Sequence, residues 1–182
     1  MKEWINVLRA ADTAAKWHTN QRRKGSNAEP YINHLLDVAS MVATASEGND
    51  PNLVIAALLH DSIEDQKIPR EVIAGDFGED VASLVMEVTD DKSLPKPERK
   101  RLQIETAPKK TNRAKLLKIA DKISNMNSVA VSPPAGWAVE RRLEYVAWSR
   151  SVVAASGDDV DASLQEEFYL AADRAEAAAR SG

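Results

Sequence analysis

Apolar residues recur along this chain with the spacing of helices. Val81, Leu84, Val85 and Val88 lie at positions i, i+3, i+4 and i+7, which puts them on one face of a helix. No stretch alternates apolar and polar residues over the length of a strand. The pattern therefore predicts an all-α protein.

Helix boundaries are marked by prolines and polar residues. Asp50 followed by Pro51 is a typical N-cap with proline at the first helical position, and Pro30 can open a helix in the same way. Pro108 ends or follows a charged helix, and Pro133 with Pro134 interrupts the chain again. Roughly eight to ten helices are expected in one domain over residues 1–182. The predicted helices include 3–19, 30–45, one from 51, one after Gly78, 95–105, 111–129, one containing Val139, Leu143 and Val146, and 161–180.

The composition indicates a folded protein and excludes several kinds of chemistry. Hydrophobic residues make up 43 % of 182 residues, enough for a sizeable core. The absence of cysteine excludes disulfides, thiolate zinc sites and cysteine nucleophiles. No apolar run approaches the roughly 20 residues of a membrane span, and residues 1–11 lack the pattern of a signal peptide. We expect a cytoplasmic protein without a membrane partner.

Charge is distributed unevenly along the chain. Residues 90–122 contain 11 Lys and Arg against 5 Asp and Glu, so this stretch carries +6 and the rest −10, within a net charge of −4. A basic segment in an acidic protein suggests a local anion site, with no nucleic acid as partner. A solvated helix face would have the same composition.

Candidate chemistry is concentrated in the string His60-Asp61-Ser62-Ile63-Glu64-Asp65, which follows the apolar run 53–59. On a helix, His60 and Glu64 would lie one above the other, and so would Asp61 and Asp65. Polar groups at the end of a buried helix are costly unless a metal, a substrate or partners satisfy them. A metal site is one interpretation, and ordinary acids at a helix end are another.

Two distant residues complete a possible ligand set. His34 lies 26 positions before His60, and Asp121 lies 60 positions after Asp61. Two imidazoles and two carboxylates suit a divalent first-row metal such as Mn²⁺, Fe²⁺, Co²⁺ or Zn²⁺. Taken singly, His34 could be a partly buried histidine, and Asp121 could cap a helix or pair with a neighbouring lysine.

The chain resembles the HD-domain superfamily of metal-dependent phosphohydrolases. More narrowly, it resembles the hydrolase domain of RelA/SpoT homologues, which act in the metabolism of guanosine tetraphosphate (ppGpp) and in the stringent response. Within that group it is similar to the small alarmone hydrolases of the metazoan SpoT-homologue type. The stretches that carry the resemblance are AAKWHTNQRRK (14–24), PYINH (30–34), AALLHDSIED (56–65), FG (77–78), VTDDK (88–92), LPKPERK (94–100) and KIADKISN (118–125).

The resemblance implies a single HD-type helical domain with its motif-bearing core at 11–150. It also implies Mn²⁺-dependent hydrolysis of the 3′-pyrophosphate of ppGpp or pppGpp to GDP or GTP and pyrophosphate. The Mn²⁺ ligands would be His34, His60, Asp61 and Asp121. Glu64 and Asp65 would position and activate the attacking water. Nucleotide contacts would come from Arg23, Lys24, Lys96, Asn125, Arg141 and Tyr145.

Several points stay open at this level. His18 matches a family histidine near the metal helix and is expected to be no ligand. Leu35 stands where a proline often follows the metal histidine, which leaves substrate preference uncertain. Another phosphorylated nucleotide, such as a dinucleotide cofactor with a 2′-phosphate (NADPH), and a non-catalytic nucleotide-binding module are alternatives. Trp17, Trp137 and Trp148 are expected in the core. The oligomeric state is not indicated.

Overall fold

The computed structural model describes residues 2–157 and 160–181, and these residues form helices joined by short loops. The predicted all-α class is confirmed. The helices are α1 Lys2–Trp17, α2 Tyr31–Ala45, α3 Pro51–Leu59, α4 Ser62–Gln66, α5 Arg70–Phe77, α6 Glu79–Val88, α7 Lys96–Thr106, α8 Asn112–Val131, α9 Val139–Ala155 and α10 Ala162–Ser181.

The described chain groups into two compact units. The first contains the residues up to 21 together with 30–99, and the second contains 22–29 together with those from 100 onward. The interpretation of 1–182 as one HD-type domain stays a prediction. Within the described ranges, no helix has an apolar stretch long enough to cross a lipid bilayer.

Helix α3 lies at the centre of the first unit. All seven residues from Leu53 to Leu59 are buried, and α1, α2 and α6 pack around them. A helix that is apolar on every side can only be stable when it is enclosed in this way. The Asp50 carboxylate caps α3 by accepting a hydrogen bond from the Leu53 N–H at 3.0 Å. The predicted start of α3 is therefore confirmed.

The sequence had suggested that the HDxxED string lies on one continuous helix, but in the structure one helix ends before the string and another begins within it. Helix α3 ends at Leu59, and the backbone of Asp61 turns to φ −96° and ψ 0° before α4 begins at Ser62. This conformation lies in the bridge region, where many active-site residues are found. Helix α5 was also not predicted, because its eight residues contain only one fully buried side chain, Ile73.

The second unit is built around α8. Helix α10 packs along α8 with a face of small and aromatic residues that includes Phe168, Ala171 and Ala175, and α9 packs against both. Thr111 caps α8 by accepting a hydrogen bond from the Ala114 N–H at 3.2 Å. Three charged residues of α8, namely Lys115, Asp121 and Lys122, are buried among its apolar ones.

The loop 22–29 is fixed to the end of α8 through Ser132. The Ser132 hydroxyl accepts the Asn27 N–H at 3.0 Å and lies 3.2 Å from the Ser26 hydroxyl. Gly25 approaches so closely that a Cβ there would come within 2.2 Å of the Ser132 carbonyl oxygen. A glycine is therefore needed at this contact. The contact holds the loop that contains Arg23 and Lys24 against the end of α8.

We predict opposite effects for two glycine-to-alanine changes. Gly25→Ala should destabilise the protein by about 1–3 kcal/mol, because the added methyl group collides with backbone. Gly75→Ala lies in α5 with open space around it and should stabilise by roughly 0.5–1 kcal/mol. Urea unfolding of both variants beside the parent measures this. A Gly25→Ala variant as stable as Gly75→Ala contradicts the close contact.

Candidate active site

The imidazole of His60 is held in one defined orientation at the end of α3. Its Nδ1 lies 2.8 Å from the carbonyl oxygen of Ala57. Because a carbonyl only accepts hydrogen bonds, Nδ1 carries the proton, and in the neutral ring Nε2 keeps a lone pair. This is the arrangement of a metal-binding histidine, whose other nitrogen donates to a fixed acceptor.

The Asp61 carboxylate collects several of the predicted site residues in the first unit. Its Oδ2 lies 3.1 Å from His60 Nε2 and 3.7 Å from His34 Nε2, and it accepts the Tyr31 hydroxyl at 2.6 Å. Packing of α2 against α3 brings the two imidazoles to a centroid distance of 5.3 Å. Three of the four predicted ligands are therefore brought together within this unit.

These donors fit a divalent metal. A ring nitrogen with a lone pair facing a carboxylate oxygen is favourable only when a cation, either a proton or a metal, lies between them. The ring nitrogens of His34 and His60 are among the donor atoms that could hold a metal ion. Mixed nitrogen and oxygen ligands suit a first-row divalent ion.

The two predicted catalytic acids share one lysine. Lys92 Nζ lies 3.1 Å from Glu64 Oε1 and 2.9 Å from Asp65 Oδ1. The Asp90 N–H donates to Glu64 Oε2 at 3.3 Å. Lys92 was not predicted as a site residue, although it ends the V-T-D-D-K stretch; a surface lysine has no distinguishing pattern in a sequence.

Glu64 lies in an environment that disfavours its charge. Burial raises the pKa of the Glu64 carboxyl above its ordinary value, and the negative charges of Asp61 and Asp90 raise this pKa further, while Lys92 acts in the opposite direction. A carboxyl group whose pKa is shifted towards neutrality is better matched to proton transfer at physiological pH. The first unit therefore contains a candidate general base.

In the second unit, Asp121 is 8 % exposed and has two partners on its own helix. Asn125 Nδ2 donates to Asp121 Oδ1 at 2.7 Å, and Lys122 Nζ lies 3.3 Å from Oδ2. Arg23 donates to Asn125 Oδ1 at 2.9 Å. This unit therefore connects three predicted site residues, and the alternative pairing of Asp121 with a neighbouring lysine also occurs.

Three aromatic rings form a second feature of this unit. Tyr145 lies 5.4 Å from Trp137 and 5.5 Å from Trp148, measured between ring centroids. Arg141 lies over Trp137 at 4.5 Å and Lys100 over Trp148 at 4.7 Å. These tryptophans are half-buried, as is Trp17 in α1, so the expectation that they are core residues was wrong. The rings of Trp137 and Trp148 present faces to cations.

The remaining predicted contacts are exposed. Lys24 lies in the loop 22–29, and Lys96 is the first residue of α7.

His18 is buried and stacks on Tyr31 with a centroid distance of 5.3 Å. Tyr31 supports Asp61 but was not predicted as a site residue, because its role depends on a hydrogen bond across 30 positions of sequence.

Comparison with known proteins places this geometry in context. The HD-domain family matches residues 10–146. The chain is similar to the guanosine-3′,5′-bis(diphosphate) 3′-pyrophosphohydrolase MESH1 of Drosophila melanogaster, with 48 % identity over 140 residues that cover 77 % of this chain and 78 % of the relative. The human protein of the same name is 45 % identical over 151 residues, which cover 83 % and 84 % of the two chains.

A solved structure agrees along most of the chain. It is that of a metazoan orthologue of SpoT, which is described as hydrolysing ppGpp and as having a role in starvation responses. The TM-score is 0.87 with 42 % sequence identity, and the match covers 91 % of this chain and 93 % of the other.

We predict that replacement of Glu64 by glutamine changes how stability depends on pH. In metal-free protein, the raised pKa means that the folded state holds the Glu64 proton more tightly than the unfolded state, whose glutamate titrates near about 4.3. The parent should therefore lose stability relative to Glu64→Gln as pH rises from about 4 towards neutrality.

Urea unfolding at several pH values in that range measures the difference. Glu71→Gln, a change at an exposed glutamate of α5, is the matched control and should follow the parent. A stability of the parent relative to Glu64→Gln that stays constant, or that increases as pH rises, contradicts the raised pKa.

We predict that Tyr31→Phe weakens metal binding by about 10- to 100-fold, since a hydrogen bond to the carboxylate of Asp61, a predicted ligand, is lost. Calorimetric titration of Mn²⁺ into metal-stripped protein measures this without any assay of activity. Tyr169→Phe, at an exposed tyrosine of α10, serves as control. Equal affinity in all three proteins contradicts a role for the Tyr31–Asp61 pair.

Proposed function

The chain belongs to the HD-domain family, and we propose that it hydrolyses the 3′-pyrophosphate of ppGpp and pppGpp to give GDP or GTP and pyrophosphate. The observation that carries this proposal is the convergence of His34 and His60 on Asp61, a few residues before Glu64 and Asp65. The similarity to MESH1 hydrolases over more than three quarters of both chains supports it.

A divalent metal is implied by the family and by the donor set, and we propose Mn²⁺. When bound, such an ion polarises phosphoryl oxygens and increases the acidity of water. His34, His60 and Asp61 would hold it. Asp121 is proposed as the fourth ligand, supported by its burial and by Asn125 and Lys122, which fix both carboxylate oxygens.

Glu64 is proposed as the general base. Its raised pKa lets it accept a proton at a carboxylate oxygen, and the Asp90 N–H and Lys92 restrict the orientation of that group. Asp65 is proposed to orient the attacking water, because its carboxylate lies close to that of Glu64, with Lys92 in contact with both. Glu64 and Asp65 both belong to α4, so one helix positions the two acids.

A substrate with two pyrophosphate groups needs several cations. We propose that Arg23, Lys24, Lys96 and Arg141 neutralise its phosphates, because guanidinium and ammonium groups form strong charge-assisted hydrogen bonds with phosphate. Tyr145 and Asn125 would contact base and ribose. The packed rings of Trp137, Tyr145 and Trp148 support this assignment for Tyr145, since an aromatic face can stack on a base.

The proposal extends to the setting of the enzyme. We propose that it acts in the cytoplasm on a small nucleotide and has no nucleic-acid partner. Binding of a polyanionic nucleotide is enough to account for the basic segment at 90–122. The positive charge of this segment is smaller than the negative charge of the rest of the chain.

Incubation of metal-stripped protein with ppGpp, with and without Mn²⁺, tests the function. We expect Mn²⁺-dependent release of GDP and pyrophosphate in equal amounts. Glu64→Gln should lower kcat by about 10²- to 10⁴-fold, the usual contribution of a general base. Glu71→Gln should keep the parental rate, because that exposed side chain is outside the proposed site.

Other outcomes separate the alternatives. Release of orthophosphate from a 2′-phosphorylated dinucleotide, without turnover of ppGpp, would transfer the proposal to that substrate. Binding of ppGpp without turnover in metal-loaded protein would indicate a binding module. Asp121→Asn should weaken Mn²⁺ binding in calorimetry, and an unchanged affinity would remove Asp121 from the ligand set.

A further inference from the structure

Gln21 joins the buried His18 to the acid Asp65. Its Nε2 donates to Asp65 Oδ2 at 2.7 Å, and its Oε1 lies 2.6 Å from His18 Nδ1. Gln21 and His18 meet because the chain turns directly after α1, where the Gln21 N–H donates to the His18 carbonyl oxygen at 2.9 Å. All three side chains belong to the first unit.

Each hydrogen bond in this series fixes the next one. The Gln21 side chain turns its NH₂ group, which is a donor, towards the Asp65 carboxylate oxygen that accepts it. That orientation turns the amide oxygen towards His18, and an oxygen that only accepts requires the proton on Nδ1. His18 Nε2 is then left as the acceptor towards the Ser62 hydroxyl, which lies 3.4 Å away.

The His18 end of the series is rigid. The imidazole is 2 % exposed and stacks on Tyr31 with an interplanar angle of 15°. Gln66 also donates from Nε2 to the Gln21 oxygen. Gln21 therefore reaches Asp65 from an anchored position.

The other partner of Asp65 is less constraining. Lys92 bonds to the opposite carboxylate oxygen, but its side chain is 40 % exposed. Exposed ion pairs contribute little, since water screens them and long side chains lose entropy when they are held. Of the two partners, Gln21 is the one that can define the rotation of the Asp65 carboxylate.

We propose that Gln21 is a positioning residue for the reaction, and that a relay from His18 through Gln21 orients Asp65. The inference rests on the proposed function, in which Asp65 orients the attacking water. It assigns a purpose to His18, which lies beside the site without being one of the proposed ligands.

Two substitutions of Gln21 separate hydrogen bonding from packing. Gln21→Met keeps the approximate size but removes the hydrogen bonds of the side chain to Asp65, His18 and Gln66. Gln21→Glu can still accept from His18 but cannot donate to Asp65, and its charge repels that carboxylate. We expect kcat to fall by about 10- to 100-fold in both, with KM and Mn²⁺ affinity unchanged. Asn20→Leu, at the exposed neighbouring amide, is the matched control and should keep the parental kcat.

A double-mutant cycle tests whether Gln21 acts through Asp65. In an Asp65→Ala background, single-turnover kinetics should show no further loss from Gln21→Met. A parental kcat for Gln21→Glu, or a full additional loss in the Asp65→Ala background, overturns the proposal.

An independent measurement does not require activity. The ¹⁵N chemical shifts of His18 should report an Nδ1–H imidazole in the parent, and this preference should be lost in Gln21→Met. An Nε2–H tautomer in the parent overturns the relay even if ppGpp is hydrolysed. A parent that shows the Nδ1–H tautomer but no hydrolysis would instead overturn the proposed function.

Discussion

The site in the first unit depends on one unfavourable contact that requires compensation. The lone pair of His60 Nε2 faces an oxygen of Asp61, because Nδ1 donates to the Ala57 carbonyl oxygen. Two acceptors at 3.1 Å repel each other unless a cation is shared between them. The apolar helix α3 supplies the rigidity that holds the imidazole in this position. A divalent metal is the cation that the donor chemistry favours.

Different side chains around this contact hold the carboxylates of Asp61, Asp65 and Glu64. Tyr31 supports Asp61, Gln21 supports Asp65, and Lys92 bridges Asp65 and Glu64. His18 links the first two supports, since its face stacks on Tyr31 and its edge bonds to Gln21. In metal sites generally, residues that hydrogen-bond to the ligands in this way tune the affinity for the metal.

The fold could largely be read from local signals. Apolar periodicity predicted α6 and α8, and Asp50 with Pro51 predicted the start of α3, because capping and burial of one face act within a few residues. Helix α5 was missed, since it has little buried surface to produce a pattern. The tryptophans were misjudged, because composition cannot distinguish a ring enclosed in a core from one that presents a face to Arg141 or Lys100.

By itself the sequence determined the residue types of the site and the helices that carry them. His34, His60, Asp61 and Asp121 were predicted as a ligand group because two imidazoles and two carboxylates occur together in a pattern that resembles the HD-domain family. Only the tertiary structure decided which other residues form hydrogen bonds with the residues of the site. Gln21, Tyr31 and Lys92 have common side chains whose roles arise from hydrogen bonds across 27 to 44 positions of sequence. Such contacts depend on how α1, α2 and α6 pack around α3, and no local pattern specifies that packing.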